Sequence, residues 1–121
     1  MQFLAYDPNY DPDSPEAAVP PSPELMAEMG KFIGEAMQAG VVVTTGTLQR
    51  QGTRLKLADG KFTVTDGPFI ELKELLGGWA VLNVGSLDEA IEWCKRFLRI
   101  AGDGETEIVQ ILGPDDFGPG A

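Results

Sequence analysis

Residues 77–98 read Gly77-Gly78-Trp79-Ala80-Val81-Leu82-Asn83-Val84-Gly85-Ser86-Leu87-Asp88-Glu89-Ala90-Ile91-Glu92-Trp93-Cys94-Lys95-Arg96-Phe97-Leu98, and this stretch decides the fold. The run up to Val84 is apolar and short, which reads as a buried strand entered through a flexible glycine pair. Ser86 followed three positions later by Glu89 is a capping box, so a helix starts there. Ala90, Ile91, Cys94, Phe97 and Leu98 fall on one helical face, while Glu92, Lys95, Arg96 and Arg99 fall on the other. The bases gather at the negative end of the helix dipole. Asp103-Gly104 turns the chain, and Glu105 to Leu112 reads as a further strand.

The same unit recurs toward the N-terminus. Met1 to Tyr6 reads as a strand. Ser22-Pro23-Glu24 opens a helix, with serine as N-cap, proline in the first turn and glutamate at the positive dipole end. Leu25, Met29, Phe32, Ile33 and Ala36 form its apolar stripe, and Gly40 is placed to terminate it. Gly30 and Gly34 lie one turn apart inside this helix. Interior glycines cost about 1 kcal/mol each relative to alanine, so close approach of another backbone is expected there. Val41 to Thr44 is β-branched and extended. Thr53 to Leu57 and Lys61 to Thr65 flank Ala58-Asp59-Gly60, a hairpin signal of the type I′ class.

Strand, helix, strand, hairpin, strand, helix, strand is the order of an α+β ferredoxin-like sandwich. A mostly antiparallel sheet carries two helices on one face. The other face calls for a cover, and a homodimer, in a dimeric α+β barrel-type assembly, is the expected one. One domain spans residues 1–113, with a proline-rich loop at 7–23 and a flexible tail at 114–121. Six of the nine prolines fall in that loop.

Composition removes several function classes. The chain has 121 residues, 43% hydrophobic, with one cysteine and no histidine. Ser-His-Asp and Cys-His catalysis and histidine-ligated metals are therefore excluded. Acid–base work would fall to carboxylate, lysine, tyrosine or cysteine. Net charge is -10, which disfavours nucleic acid and anionic membrane surfaces as partners. No apolar run reaches the roughly 20 residues that span a bilayer, and Met1 to Tyr6 lacks a basic signal-peptide start. A cytoplasmic protein is expected. The acidity is local: residues 7–29 hold six acids and 103–116 hold five, neither with a base. Residues 30–102 hold eight acids and nine bases, so the middle of the chain does not exclude an anionic small molecule.

The segment from Asp66 to Trp79 carries the candidate chemistry. Pro68 cannot donate to a ladder, so the strand from Lys61 ends or becomes an edge there. Asp66 either caps the turn or acts as a base or ligand at a pocket rim. Glu71, Lys73 and Glu74 either form a solvated charged face or converge as a lysine–carboxylate site. A hard cation on Asp66, Glu71 and Glu74 lacks the supporting Asp-x-Asp loop pattern. Candidate catalytic residues are Asp66, Glu71 and Lys73. Candidate ligand-binding residues are Tyr6, Arg54, Pro68, Phe69, Glu74 and Trp79. No metal and no cofactor is expected. Tyr10 reads either as a hydroxyl lining a cleft or as an ordinary loop residue, and Cys94 reads as a small core residue.

Asp66-Gly67-Pro68-Phe69, with Glu71, Lys73-Glu74 and Gly77-Gly78-Trp79, resembles the signature of DGPF-domain proteins within the YCII-related family. Phe32 to Val41, Gly46-Thr47-Leu48 and Ser86 to Phe97 resemble the flanking parts of that family. The resemblance implies a ferredoxin-like bacterial domain, usually homodimeric, with no established reaction. Related proteins have a suspected His–Asp pair. This chain has no histidine, so only Asp66 carries over. The resemblance also suggests association with an extracytoplasmic-function sigma factor. A cleft that binds a small molecule near Asp66–Trp79 is the leading expectation, and a non-catalytic regulatory module is the alternative.

Overall fold

A computed structural model describes residues 1–49, 51–68 and 77–117, with only the backbone of Pro68. The elements run β1 (Gln2–Tyr6), α1 (Pro23–Gln38), β2 (Val42–Gly46), β3 (Gln51–Ala58), β4 (Lys61–Pro68), β5 (Trp79–Asn83), α2 (Leu87–Ala101) and β6 (Glu107–Ile111). Four strands form an antiparallel sheet in the order β2-β5-β1-β6. This order places the two strand–helix–strand units side by side with their strands interleaved, the ferredoxin-like α+β arrangement.

The sequence signals act locally as expected. The Ser22 hydroxyl accepts the Leu25 N–H at 3.1 Å, and the Ser86 hydroxyl accepts the Glu89 N–H at 3.1 Å. The Glu89 carboxylate reaches one residue further back than a standard box, to the Gly85 N–H at 2.9 Å. α1 ends in a Schellman motif: Gly40, at φ +74, donates to Met37 O, and Val41 donates to Ala36 O. The motif turns the chain so that Val41 enters the core beside Phe3, Leu82 and Val84.

Pairing sorts the sheet into two faces. Phe3 opposes Leu82, and Ala5 opposes Ala80 and Ile108. These residues meet Ala90, Cys94 and half-buried Trp93 of α2. Leu4, Val81 and Val109 lie on the other face, which neither α1 nor α2 covers. β2 carries a bulge between Val42 and Thr44. The bulge leaves Val43 53% exposed.

Two expectations change. Gly30 and Gly34 are exposed, and a Cβ on either would meet no atom within 4 Å. The apolar stripe of α1 points to the sheet, and these glycines sit away from it, so no backbone approaches them. Phe97, expected inward, is 37% exposed at the edge of α2.

The β3–β4 hairpin is a separate two-stranded sheet. Its turn is of type I′, with Asp59 at φ +52 and Gly60 at φ +77. Pro68 pairs with Gln51 at the end of this ribbon, an edge position that tolerates a residue without an N–H. The proline-rich loop is organised by short-range bonds. Asp7 and Asp11 carboxylates accept the N–H groups of Asn9 and Asp13, and Ser14 caps a 3-10 turn at Pro15–Ala18. A second 3-10 turn, Pro114–Asp116, follows β6.

Candidate functional site

A cleft of about 730 Å³ opens between the helices and the end of the sheet. The small residues Ala36 of α1 and Ala90 of α2 are fully buried. The large side chains then line the gap: Met29, Phe32 and Ile33 from α1, and Trp93, Phe97 and Leu98 from α2. Thr45 of β2 stands on the sheet side, its hydroxyl donating to the Trp79 carbonyl at 2.7 Å.

One wall is fastened by aromatic and charged contacts. The Phe32 and Trp93 rings lie 6.0 Å apart at 45°. The Arg96 guanidinium sits 5.1 Å from the Phe32 centroid and 4.8 Å from that of Trp93. Arg96 also pairs with Glu35 of α1. This cluster ties α2 to α1 across the cleft and keeps the guanidinium outside the lining.

The mouth is acidic. Asp7, Asp103 and Glu105 line it, and no lysine or arginine does among the described residues. These acids gather because β1 and β6 pair to their ends, Tyr6 opposite Glu107, which brings the loop after β1 beside the loop before β6. Asn9 links the two loops, its Nδ2 donating to Glu105 Oε1 at 2.6 Å. The Tyr6 hydroxyl donates to Glu107 Oε2 at 2.7 Å. Cys94 borders the cleft from the core side, and burial pushes its thiol above 9.0. A thiol so desolvated is a poor nucleophile.

The expected site residues divide. Tyr6 and Trp79 line the cleft. The Trp79 Nε1 is shielded from solvent and finds no acceptor among the described residues. Asp66 lies on the hairpin, exposed, accepting from the Thr53 hydroxyl at 3.0 Å. Neither Asp66 nor Arg54 lines the cleft. Only the backbone of Pro68 is described. Phe69, Glu71, Lys73 and Glu74 lie outside the described residues. The motif still meets the cleft through Gly77, Gly78 and Trp79. Tyr10 does not line the cleft, but its ring lies so close over Gly77 that a Cβ there would overlap it. The proline-rich loop is thereby pinned to the end of the motif. Phe32 and Trp93 were not singled out as site residues. Their only signal was aromatic character one turn from an acid, Glu28 and Glu35 for Phe32 and Glu89 for Trp93, which a core helix shows equally well.

The sequence matches the YCII-related domain over residues 1–113. The chain belongs to the YCII-related domain family. No curated protein matches it. In this YCII-related domain the match takes in the whole sheet, both helices and the hairpin. Among the described residues no cluster of three or more metal-ligating side chains occurs, and no helix is long and apolar enough to cross a membrane.

Proposed function

We propose that this YCII-related protein, as a DGPF-type member, binds a small, mainly apolar molecule carrying a positive charge. The cleft between α1, α2 and the sheet end is the site. The observation that supports this most is the chemistry of its lining: an aromatic and aliphatic interior with Asp7, Asp103 and Glu105 at the mouth and no described base. An apolar ring would displace water from Phe32 and Trp93. An ammonium group would remain at the wet, acidic rim. An anion of the same shape would meet three carboxylates with no base beside them among the described lining residues. The binding unit is a homodimer joined through the open sheet face of Leu4, Val81 and Val109. Binding is the reading: of the three candidate catalytic residues, Asp66 stands outside the cleft, and Glu71 and Lys73 lie outside the described residues.

Both tryptophans of the chain line the cleft, so intrinsic fluorescence reports occupancy. Titration with 2-phenylethylamine is expected to change the emission saturably, and 3-phenylpropionate to bind several-fold more weakly. A single carboxylate–ammonium contact in a wet site is worth about 1 kcal/mol. Glu105→Gln should narrow the preference. Equal response to both probes, or none, overturns the reading. It would favour the alternative of a non-catalytic module acting with an extracytoplasmic-function sigma factor.

A further inference from the structure

We propose that the β3–β4 hairpin is a docking arm that lays its apolar face on a second copy of this chain. The inference rests on the dimer reading above and names a contact that the reading does not contain.

The ribbon is amphipathic by register. Leu55 opposes Val64 and Leu57 opposes Phe62, so all four lie on one face. They are 64%, 64%, 61% and 69% exposed. Arg54, Lys56 and Lys61 fall on the other face, with Thr63 and Thr65. An isolated two-stranded hairpin is marginally stable in water and needs packing on something else. Among the described elements, β3 and β4 make their extensive contacts only with each other, so none of these elements supplies that packing.

Area and charge both favour a second copy. The whole chain exposes 8679 Å². A monomer of this mass typically exposes about 6300 Å². The four arm residues present on the order of 400 Å² of apolar surface, the size that marks an interaction site. In a two-fold dimer each protomer gives one arm and receives one. That doubles the buried area to about 800 Å² per partner, the area of a standard stable interface. The rest of this chain also exposes matching surface: Val43 is 53% and Val109 45% exposed. The arm, residues 51–68, carries three bases and two acids. The segments 7–29 and 103–116 carry eleven acids and no base. A basic ribbon thus meets an acidic body in a second copy.

The test is sedimentation velocity of the full chain at 1–50 µM, about the range where an interface of this size assembles. The wild type is expected at twice 13.0 kDa. The Leu57→Asp/Phe62→Asp double variant should dissociate on the order of 100-fold more readily. Its far-UV circular dichroism should be unchanged, because the arm lies outside the core. Lys56→Glu/Lys61→Glu, which alters no apolar residue, should weaken the dimer about tenfold at 50 mM salt and less at 500 mM. Dimers unaffected by both variants overturn the arm while leaving a sheet-face dimer in place. A monomeric wild type overturns both. A monomeric wild type whose arm binds vesicles of phosphatidylserine and phosphatidylcholine overturns the proposal in favour of a membrane surface.

Discussion

Truncating Trp93 and Phe32, singly and together, tests how the cleft wall is held. Trp93 packs on the core, 6.0 Å from Phe32 and 4.8 Å from the Arg96 guanidinium. A fully buried tryptophan cut to alanine costs about 3–5 kcal/mol. Trp93 is half-buried, so roughly half of that is expected from lost burial. The aromatic pair adds about 0.5–1.5 kcal/mol, and the guanidinium contact about 0.5–1 kcal/mol. Trp93→Ala should therefore cost about 2.5–5 kcal/mol, and Phe32→Ala somewhat less. Both figures reach at most the lower end of the roughly 5–15 kcal/mol that holds a domain together, so the single variants fold. Urea unfolding followed by circular dichroism reads the change as a lower midpoint at constant slope. The double variant should fall short of the sum by about 1 kcal/mol, the coupling of the pair. Additivity within about 0.3 kcal/mol would show that the rings do not support each other, and the account of the wall would be wrong.

Gly30→Ala and Gly34→Ala should each stabilise the chain by up to about 1 kcal/mol, raising Tm by about 3–5 °C, because the added methyl meets open space on an exposed helix; a lower Tm would mean the glycines are packed. Burial raises the Cys94 pKa, so the folded state holds its thiol proton more tightly than the unfolded state. That contribution is full below the unfolded pKa and is lost as pH rises through the folded one, so wild-type stability should fall above pH ~9 by up to about 1.4 kcal/mol per pH unit more than that of Cys94→Ala. Parallel curves for the two proteins would refute this. Asp66→Ala removes the acceptor of the Thr53 hydroxyl and should leave 2-phenylethylamine affinity within twofold, whereas loss of binding would move the site toward the hairpin.

Features set by a few adjacent residues are legible in the sequence. Ser22 and Ser86 cap because a hydroxyl reaches N–H groups within its own turn, and Asp59-Gly60 turns because both residues tolerate positive φ. The placement of two helices on one face of an antiparallel sheet followed from the need of two apolar helix stripes for a sheet to cover them. What depended on distant partners was not legible. The spacing of Gly30 and Gly34 says nothing of which side of α1 they occupy relative to the sheet. The detachment of the hairpin from the main sheet depends on the pairing of β2 with β5, and no local residue pattern announces it. The acidity of the cleft mouth depends on β1 pairing with β6. The position of Asp66 outside the cleft follows from the same detachment.

The most direct test of the cleft is amide chemical-shift mapping with 2-phenylethylamine on the nitrogen-15-labelled protein. The account predicts saturable shifts grouped at Phe32, Thr45, Trp79, Trp93, Asp103 and Glu105, with Thr53 to Asp66 unmoved. Shifts centred on the hairpin, or none up to millimolar probe, would contradict it.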